Sequence, residues 1–348
     1  MVLGEVLAQA NSKQLGEKAQ QIYDEFVNGT TVKLASGDVQ VPGVGSDHAE
    51  RMPADVSQKL TELRGVLEEQ FADTINIVNE YWENVVLPRG DEEPAYNIDD
   101  MKAVFELVRD HYDPENTADI SVVIDPDASA LSWDTPSRSI RVGAKRKSIN
   151  NPIEMAAKVV HEYGVHGLRA VNGSQVDVPG FDTGMYSDAE DGERSDYLTF
   201  EEGFASLCEI AMDSGFSKWK PMHVSHYFAL SAAYGGSDFR ETYESLWRAR
   251  VLMDAPDGKD VTDRTIDLAK KQAWVSCVRV FRGTPTELED GPVLTMNKDL
   301  AYLNGKLDAL KFLDKVAGDK DAIKRVFAGK YDPNNSLQAA IVDKYVTI

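Results

Sequence analysis

Two histidines five positions apart, His161 and His166, enclose Glu162 within an apolar segment of this 348-residue chain. Residues five apart on an α-helix point about 140° away from each other, so a regular helix cannot turn both imidazoles toward one ion. A π-bulge, which inserts one residue into the helix, would return them to a common face. Gly164 lies between them and tolerates altered backbone angles because it has no Cβ. We therefore predict a buried helix over 152–171 with a π-bulge inside it.

The HExxxH pattern indicates a metal site. Two imidazoles and a carboxylate are common zinc ligands, and catalytic zinc sites keep a fourth position for water. The alternative is a pair of ordinary helix histidines, although the chain has only 6 histidines in all. A third ligand has to come from elsewhere, and the predicted helix at 199–214 offers Glu202. Its alternative role is a capping box with Thr199 as the N-cap.

Three blocks of sequence resemble the tyrosine carboxypeptidase-like metallopeptidases, which include bacterial proteins named for a QEGLA motif and the microtubule-associated tyrosine carboxypeptidases. The first block is the HExxxH segment, followed three residues later by Arg169. The second, EEGFA at 201–205, stands where QEGLA stands and departs from it at the first and fourth positions. The third comprises VFRGT at 280–284 and NKDLAYLNG at 297–305, which is similar to the family's arginine-glycine turn and the helix after it.

The resemblance implies that His161, His166 and Glu202 bind Zn²⁺ and that Glu162 is the general base for a zinc-activated water. The implied activity is that of a metallocarboxypeptidase, which removes the C-terminal residue of a peptide or protein. A zinc endopeptidase and a non-catalytic binding member of the same fold remain alternatives. The intact Glu162 argues against the non-catalytic alternative, because a protein that only binds has no need of the base.

Two further roles are assigned within or near the matched blocks. Donation to the developing oxyanion is assigned to Tyr302, because it lies in a matched block; Tyr227 and Tyr234 are the other candidates. Each of them could equally be a core residue. A cation that binds the substrate's free carboxylate is sought among Arg169, Arg279, Arg282 and Lys298. For each of these, structural pairing with one of the many acidic residues is the alternative.

The charge of the chain limits its partners. Acidic residues outnumber basic ones by 58 to 37, which gives a net charge of −21 and a pI near 4.7. Nucleic acid and anionic membranes attract basic surfaces, so neither is expected as a partner. An acidic peptide would bind only inside a locally basic cleft. The N-terminal residues lack a signal-peptide pattern and no apolar run is long enough to span a membrane, so we expect a cytoplasmic protein.

Hydrophobic periodicity predicts an α+β fold that is predominantly helical, with an N-terminal helical region at 1–90, and strands just before the metal helix suit a zincin-like catalytic domain at 95–348. Short strands are expected at 120–124 and 139–143, just before the metal helix. Residues 174–198 are expected to form a long acidic loop. The predicted helices cover about 5–28, 53–86, 98–112, 152–171, 199–214, 221–234, 238–254, 261–282 and 297–317.

Overall fold

The computed structural model describes 29–34, 37–42, 54–188, 194–213, 229–230, 232–233, 236–254, 262–284, 295 and 298–345. The chain divides into two compact units. The main unit comprises Ala54–Trp219 and Asn304–Ile348, and the second unit comprises Met1–Pro53 and Lys220–Leu303.

The elements are numbered in chain order. The strands are β1 (Gly29–Leu34), β2 (Gly37–Pro42), β3 (Ser121–Asp125), β4 (Leu131–Asp134), β5 (Ser139–Gly143), β6 (Tyr186–Asp188) and β7 (Arg194–Asp196). The α-helices are α1 (Ala54–Gln70), α2 (Ala72–Tyr81), α3 (Ile98–Tyr112), α4 (Pro152–Val159), α5 (Leu168–Ser174), α6 (Tyr197–Met212), α7 (Phe239–Asp254), α8 (Asp263–Phe281), α9 (Lys298–Val316), α10 (Lys320–Arg325) and α11 (Ser336–Tyr345). The described residues also include the π-helices Trp82–Val86 and Val160–Gly167 and the 3₁₀ turns Leu87–Arg89 and Val326–Ala328.

The second unit contains the antiparallel hairpin β1–β2 and the packed helices α7 and α8. The first turns of α9, 298–303, also belong to this unit, whereas the rest of that helix belongs to the main unit. Thr262 caps the N-terminus of α8 by accepting a hydrogen bond from the Thr265 backbone N–H, which fixes where this helix begins.

The main unit contains a three-stranded sheet with the order β3–β5–β4. Strand β3 runs parallel to β5, and β4 runs antiparallel to it. Strand β4 also packs against the π-helix Val160–Gly167. Helix α1 packs on α6 and buries an apolar face that includes Leu60, Leu63 and Leu67, all of which are fully buried. Their spacing of three and four residues is the amphipathic pattern of a helix against a core.

The helix that carries the histidines starts at a defined position. Asn151 is its N-cap and accepts a hydrogen bond of 2.7 Å from the Glu154 backbone N–H. Pro152 occupies the first helical position, where its missing N–H costs no intrahelical hydrogen bond. Helical backbone then runs without a break through α4, the π-helix and α5. The starting point of this long helix is thus encoded by two adjacent residues.

The expected α+β, predominantly helical class is confirmed, and the helices predicted around 98–112, 152–171 and 297–317 are present. The division of the chain differs from the expected boundary near residue 90. Helices α1 and α2 belong to the main unit because α1 packs on α6 and α2 packs on α4. Instead of a wholly helical N-terminal region, the described part of 1–53 is the β1–β2 hairpin. The predicted helix at 5–28 lies outside the described residues.

Two local expectations were wrong. Strand β4 forms between the two predicted strands, at 131–134, where no strand was expected. The segment 174–198 is not only loop, since β6 and β7 pair in it as an antiparallel hairpin. Both elements are three or four residues long, and strands of this length are defined by their pairing partners more than by their own sequence.

Candidate metal centre

The HExxxH segment folds as the π-helix Val160–Gly167. A π-helix forms its hydrogen bonds between residues five apart and takes up one extra residue relative to an α-helix, which brings both imidazoles toward one face. The ring centroids of His161 and His166 are 5.4 Å apart, and the ring planes meet at 65°. The distorted turn expected from the spacing is therefore confirmed.

Gly164 serves this turn through space rather than through unusual backbone angles. It is absent from the described residues with positive φ. A Cβ at this position would lie 2.9 Å from Cζ of Phe71, a fully buried ring between α1 and α2. We expected Gly164 to be needed for altered backbone angles. It is instead needed because the backbone of the π-helix packs directly against the Phe71 ring.

Four side chains converge on this face. The potential ligand atoms of His161, Glu162 and His166 all lie within 4.8 Å of one another. Oε1 of Glu162 is 3.9 Å from Nε2 of His161, and Oε2 of Glu202 is 3.9 Å from Nε2 of His166. Each Nε2 therefore has a carboxylate oxygen at the same distance. Among the described residues, the three-residue cluster within 4.8 Å contains Glu162 rather than Glu202, which lies beside His166.

Glu202 is presented by α6, which begins at Tyr197. Thr199 is therefore the third residue of this helix rather than its N-cap, and the alternative of a capping box with Glu202 is wrong. At the next position, Gly203 packs directly on Gly305 of α9, since a Cβ on Gly203 would lie 1.8 Å from the Gly305 carbonyl carbon. Glu202 is thus held by a helix whose backbone touches that of its neighbour.

The Nδ1 atoms of the two histidines face a second pair of carboxylates from α6. Oε2 of Glu209 is 3.2 Å from Nδ1 of His161, and Nζ of Lys158 is 2.7 Å from the Oε1 atom of Glu209. Burial raises the pKa of Glu209, but His161 and Lys158 outweigh this effect and hold it well below its usual range. Burial lowers the pKa of His161, but the negative charges of Glu162 and Glu209 outweigh this effect. The net result is a raised pKa.

His166 is held in the same way by Glu201. Oε1 of Glu201 accepts from Nδ1 of His166 at 2.8 Å and from Nζ of Lys330 at 2.7 Å. Oε2 accepts from Nη1 of Arg169 at 2.8 Å. Burial raises the pKa of Glu201, but Lys330 and Arg169 more than offset it and lower this pKa to about 2. The carboxylate is therefore ionised at neutral pH.

Arg169 was expected to bind a substrate carboxylate, and the structure places it elsewhere. Its side chain has no exposed surface. Nε donates to the Gly329 carbonyl at 2.7 Å and Nη2 donates to the Tyr331 carbonyl at 2.5 Å. Together with the bond to Glu201, these contacts engage all three nitrogens. Arg169 therefore has the alternative role, structural pairing with an acidic residue, which here is Glu201.

The remaining sequence-derived candidates lie in the second unit. Tyr302 of α9 has the Arg279 guanidinium carbon 5.8 Å from its ring centroid. Arg282 is exposed just after α8. Lys298 is the first residue of α9. Two other tyrosines of the sequence analysis fall outside the described residues: Tyr227 and Tyr234.

Three site residues were not singled out by the sequence analysis: Glu201, Glu209 and Lys330. Glu209 was readable, because it lies seven residues after Glu202 on one helix, and a separation of two turns returns to the same face. Glu201 was visible only as a letter of the EEGFA block. The sequence around Lys330 has no pattern that predicts a buried lysine.

A sequence model of a protein family, described as microtubule-associated tyrosine carboxypeptidase, matches residues 86–340. The match takes in the π-helix, both carboxylate pairs and Lys330, and it covers well over half of the chain. No curated protein matches this sequence.

Proposed function

The chain belongs to the microtubule-associated tyrosine carboxypeptidase family, and on this premise we propose that it is a zinc-dependent carboxypeptidase. His161, His166 and Glu202 are the proposed ligands, and Glu162 is the proposed general base. The observation that carries this proposal is the π-helix, because it turns two histidines five residues apart toward one point with a carboxylate beside them.

The chemistry of the donors fits zinc. Imidazole nitrogen with carboxylate oxygen is a common ligand set for catalytic zinc. Ligating histidines usually hand their second ring nitrogen to a carboxylate or carbonyl, which fixes the ring orientation. Glu201 forms this hydrogen bond with His166, and Oε2 of Glu209 lies 3.2 Å from Nδ1 of His161, within ion-pair distance. When bound, zinc supplies a Lewis acid and lowers the pKa of its water to about 7.

Glu162 is the residue that moves protons in the proposed reaction. Its side chain is 7% exposed, which keeps bulk water away from its carboxylate. One carboxylate oxygen accepts a proton from the attacking water, and the resulting acid returns that proton to the nitrogen of the leaving amino acid. Since Glu162 lies on the histidine helix and Glu202 on α6, the base and the third ligand are held by separate elements.

Strand β4 provides a candidate surface for an extended substrate. It is an edge strand of the three-stranded sheet, and it packs against the π-helix. An extended peptide can add to such an edge through backbone hydrogen bonds. We propose that β4 aligns the C-terminal segment of a peptide or protein with the metal-facing side chains.

Three sequence-derived roles are kept as part of the proposal. Arg282 and Lys298 are the proposed cations for the substrate's free carboxylate, and Tyr302 is the proposed donor to the oxyanion. Their support is the third matched sequence block alone. A cytoplasmic location is likewise proposed, and nucleic acid and membranes are not proposed as partners. Among the described helices, none has the length and apolar character needed to cross a membrane.

The test combines metal analysis with product identification. Purified protein should contain about one zinc per chain, and His161→Ala and Glu202→Ala should each lose it, while the exposed His111→Ala is the matched control. Peptides incubated with the enzyme and read by mass spectrometry should lose one C-terminal residue. Internal fragments would replace the carboxypeptidase proposal with the endopeptidase alternative. Zinc binding without any product would favour the non-catalytic alternative.

A further inference from the structure

We infer that Glu201 is a positioning residue for His166, and that Lys330 and Arg169 are the buried cations which this carboxylate needs in order to act. The inference rests on the proposed metal centre. It assigns a role to three side chains that would touch neither substrate nor metal.

The first step is the count of hydrogen bonds at Glu201. Three donors reach its two oxygens: Nδ1 of His166 and Nζ of Lys330 share Oε1, and Nη1 of Arg169 binds Oε2. All three distances lie between 2.7 and 2.8 Å. A carboxylate accepts at both oxygens, whereas an amide has one accepting oxygen and one donating nitrogen. Only the acid satisfies every donor.

The second step concerns the orientation of His166. When Nδ1 carries the proton and donates it to Glu201, Nε2 is left with its lone pair. That Nε2 is the atom which Glu202 approaches on the opposite side of the ring. Glu201 therefore selects the tautomer in which His166 can bind a metal.

The third step is charge balance in a place that water does not reach. Glu201 is 1% exposed, and Arg169 and Lys330 are not exposed at all. The Lys330 ammonium lies 5.4 Å from the ring centroid of Trp133 and 5.6 Å from that of Tyr197, so aromatic faces surround the rest of it. Removing one partner of a buried ion pair leaves the other as an uncompensated buried charge. Glu201 and Lys330 should consequently depend on each other.

The experiment is a double-mutant cycle with two readouts. Glu201→Gln, Lys330→Met and the double variant are compared with wild type for the urea midpoint of the zinc-free protein and for zinc affinity by chelator competition. In the wild-type background Lys330→Met should lower the urea midpoint. In the Glu201→Gln background, Lys330→Met should lower the urea midpoint much less, or raise it. The reason is that the ammonium it removes no longer has a carboxylate partner. Glu201→Gln should weaken zinc binding by about 10–100-fold.

The control is Glu69→Gln, which breaks the surface contacts of Glu69 with Lys320 and Lys324 and should leave zinc affinity unchanged. Additive effects on the urea midpoint would overturn the dependence of Glu201 on Lys330. A folded Glu201→Gln protein with wild-type zinc affinity would overturn the positioning role, since a purely structural role moves only the midpoint. If wild type binds no zinc, the proposed metal centre itself fails, and the urea cycle still reports on the ion pair.

Discussion

Gly203 allows the sharpest test of how the helices support the candidate site. A Cβ built on this residue would lie 1.8 Å from the carbonyl carbon of Gly305, 2.0 Å from its oxygen and 2.3 Å from the backbone nitrogen of Lys306. All three atoms are backbone, so no side chain can swing aside. Carbon atoms pack at about 3.5 Å, and Gly203→Ala must therefore push α6 and α9 apart by roughly 1.5 Å at this point.

The expected magnitude follows from two opposing terms. Alanine in place of glycine inside a helix stabilises by about 1 kcal/mol through helix propensity. Overpacking a close contact costs about 1–3 kcal/mol, and more where backbone has to move. Because the obstacle here is backbone on both sides, we expect Gly203→Ala to lower the free energy of unfolding by about 2 kcal/mol. Zinc affinity should fall as well, since Glu202 is the preceding residue.

Urea denaturation of the zinc-free protein measures the first effect and chelator competition measures the second. The matched control is Gly65→Ala in the middle of α1, where a Cβ meets nothing within 4 Å. That change should stabilise the protein by about 0.5–1 kcal/mol. If Gly203→Ala stabilises the protein as Gly65→Ala does, the backbone contact between α6 and α9 has been misjudged, and Glu202 is not held by it.

Three other changes have definite expected outcomes. Gly164→Ala, whose Cβ would lie 2.9 Å from the ring of Phe71, should weaken zinc binding, and adding Phe71→Leu should restore part of it; a single variant with wild-type zinc affinity would contradict this packing. Glu162→Gln should keep its zinc by metal analysis and lose turnover in the peptide assay, so an active variant would remove Glu162 as the base. Lys306→Met tests a buried ammonium: burial lowers the pKa of Lys306 from 10.5 to about 8, and only Glu209 opposes this. Between those values the unfolded state holds more protons, so the wild-type free energy of unfolding should rise by about 3 kcal/mol from pH 8 to 10.5. Urea titrations at several pH values in this range should show a smaller rise in the free energy of unfolding for Lys306→Met than for wild type. An equal rise with pH in both proteins would refute the burial of the Lys306 charge.

The sequence predicted the parts of the fold that depend on local pattern. The period of apolar residues is enough to find α3 and α9, and the five-residue spacing of His161 and His166 is enough to require a π-turn. What it missed depends on contacts between distant segments. Strand β4 exists because β5 pairs with it, and no pattern inside 131–134 reveals that partner.

The assignment of Arg169 failed for the same reason. Its position three residues after His166 suggested a cation near the metal, which is correct for the backbone. The direction of its side chain is decided by carbonyls at Gly329 and Tyr331, 160 and 162 positions away in sequence. Lys330 was missed on the same ground, since its partner Glu201 is 129 residues away. A buried cation can be recognised only once its anion is known.

The continuous helical rod from the Asn151 cap through α5 bears on how the protein would take up and release its ion. Both imidazoles belong to this continuous helix, and the carboxylates of Glu209 and Glu201 on α6 lie next to the Nδ1 atoms of His161 and His166. The proposed ligands are thus held in place by the helix and its contacts before any metal binds. Small zinc domains differ, because they unfold when the metal is removed. A chelator should remove the ion and leave a folded apoprotein that reloads on mixing. The ion would then add only its mass-action share of stability, about 4 kcal/mol at a thousandfold excess over Kd.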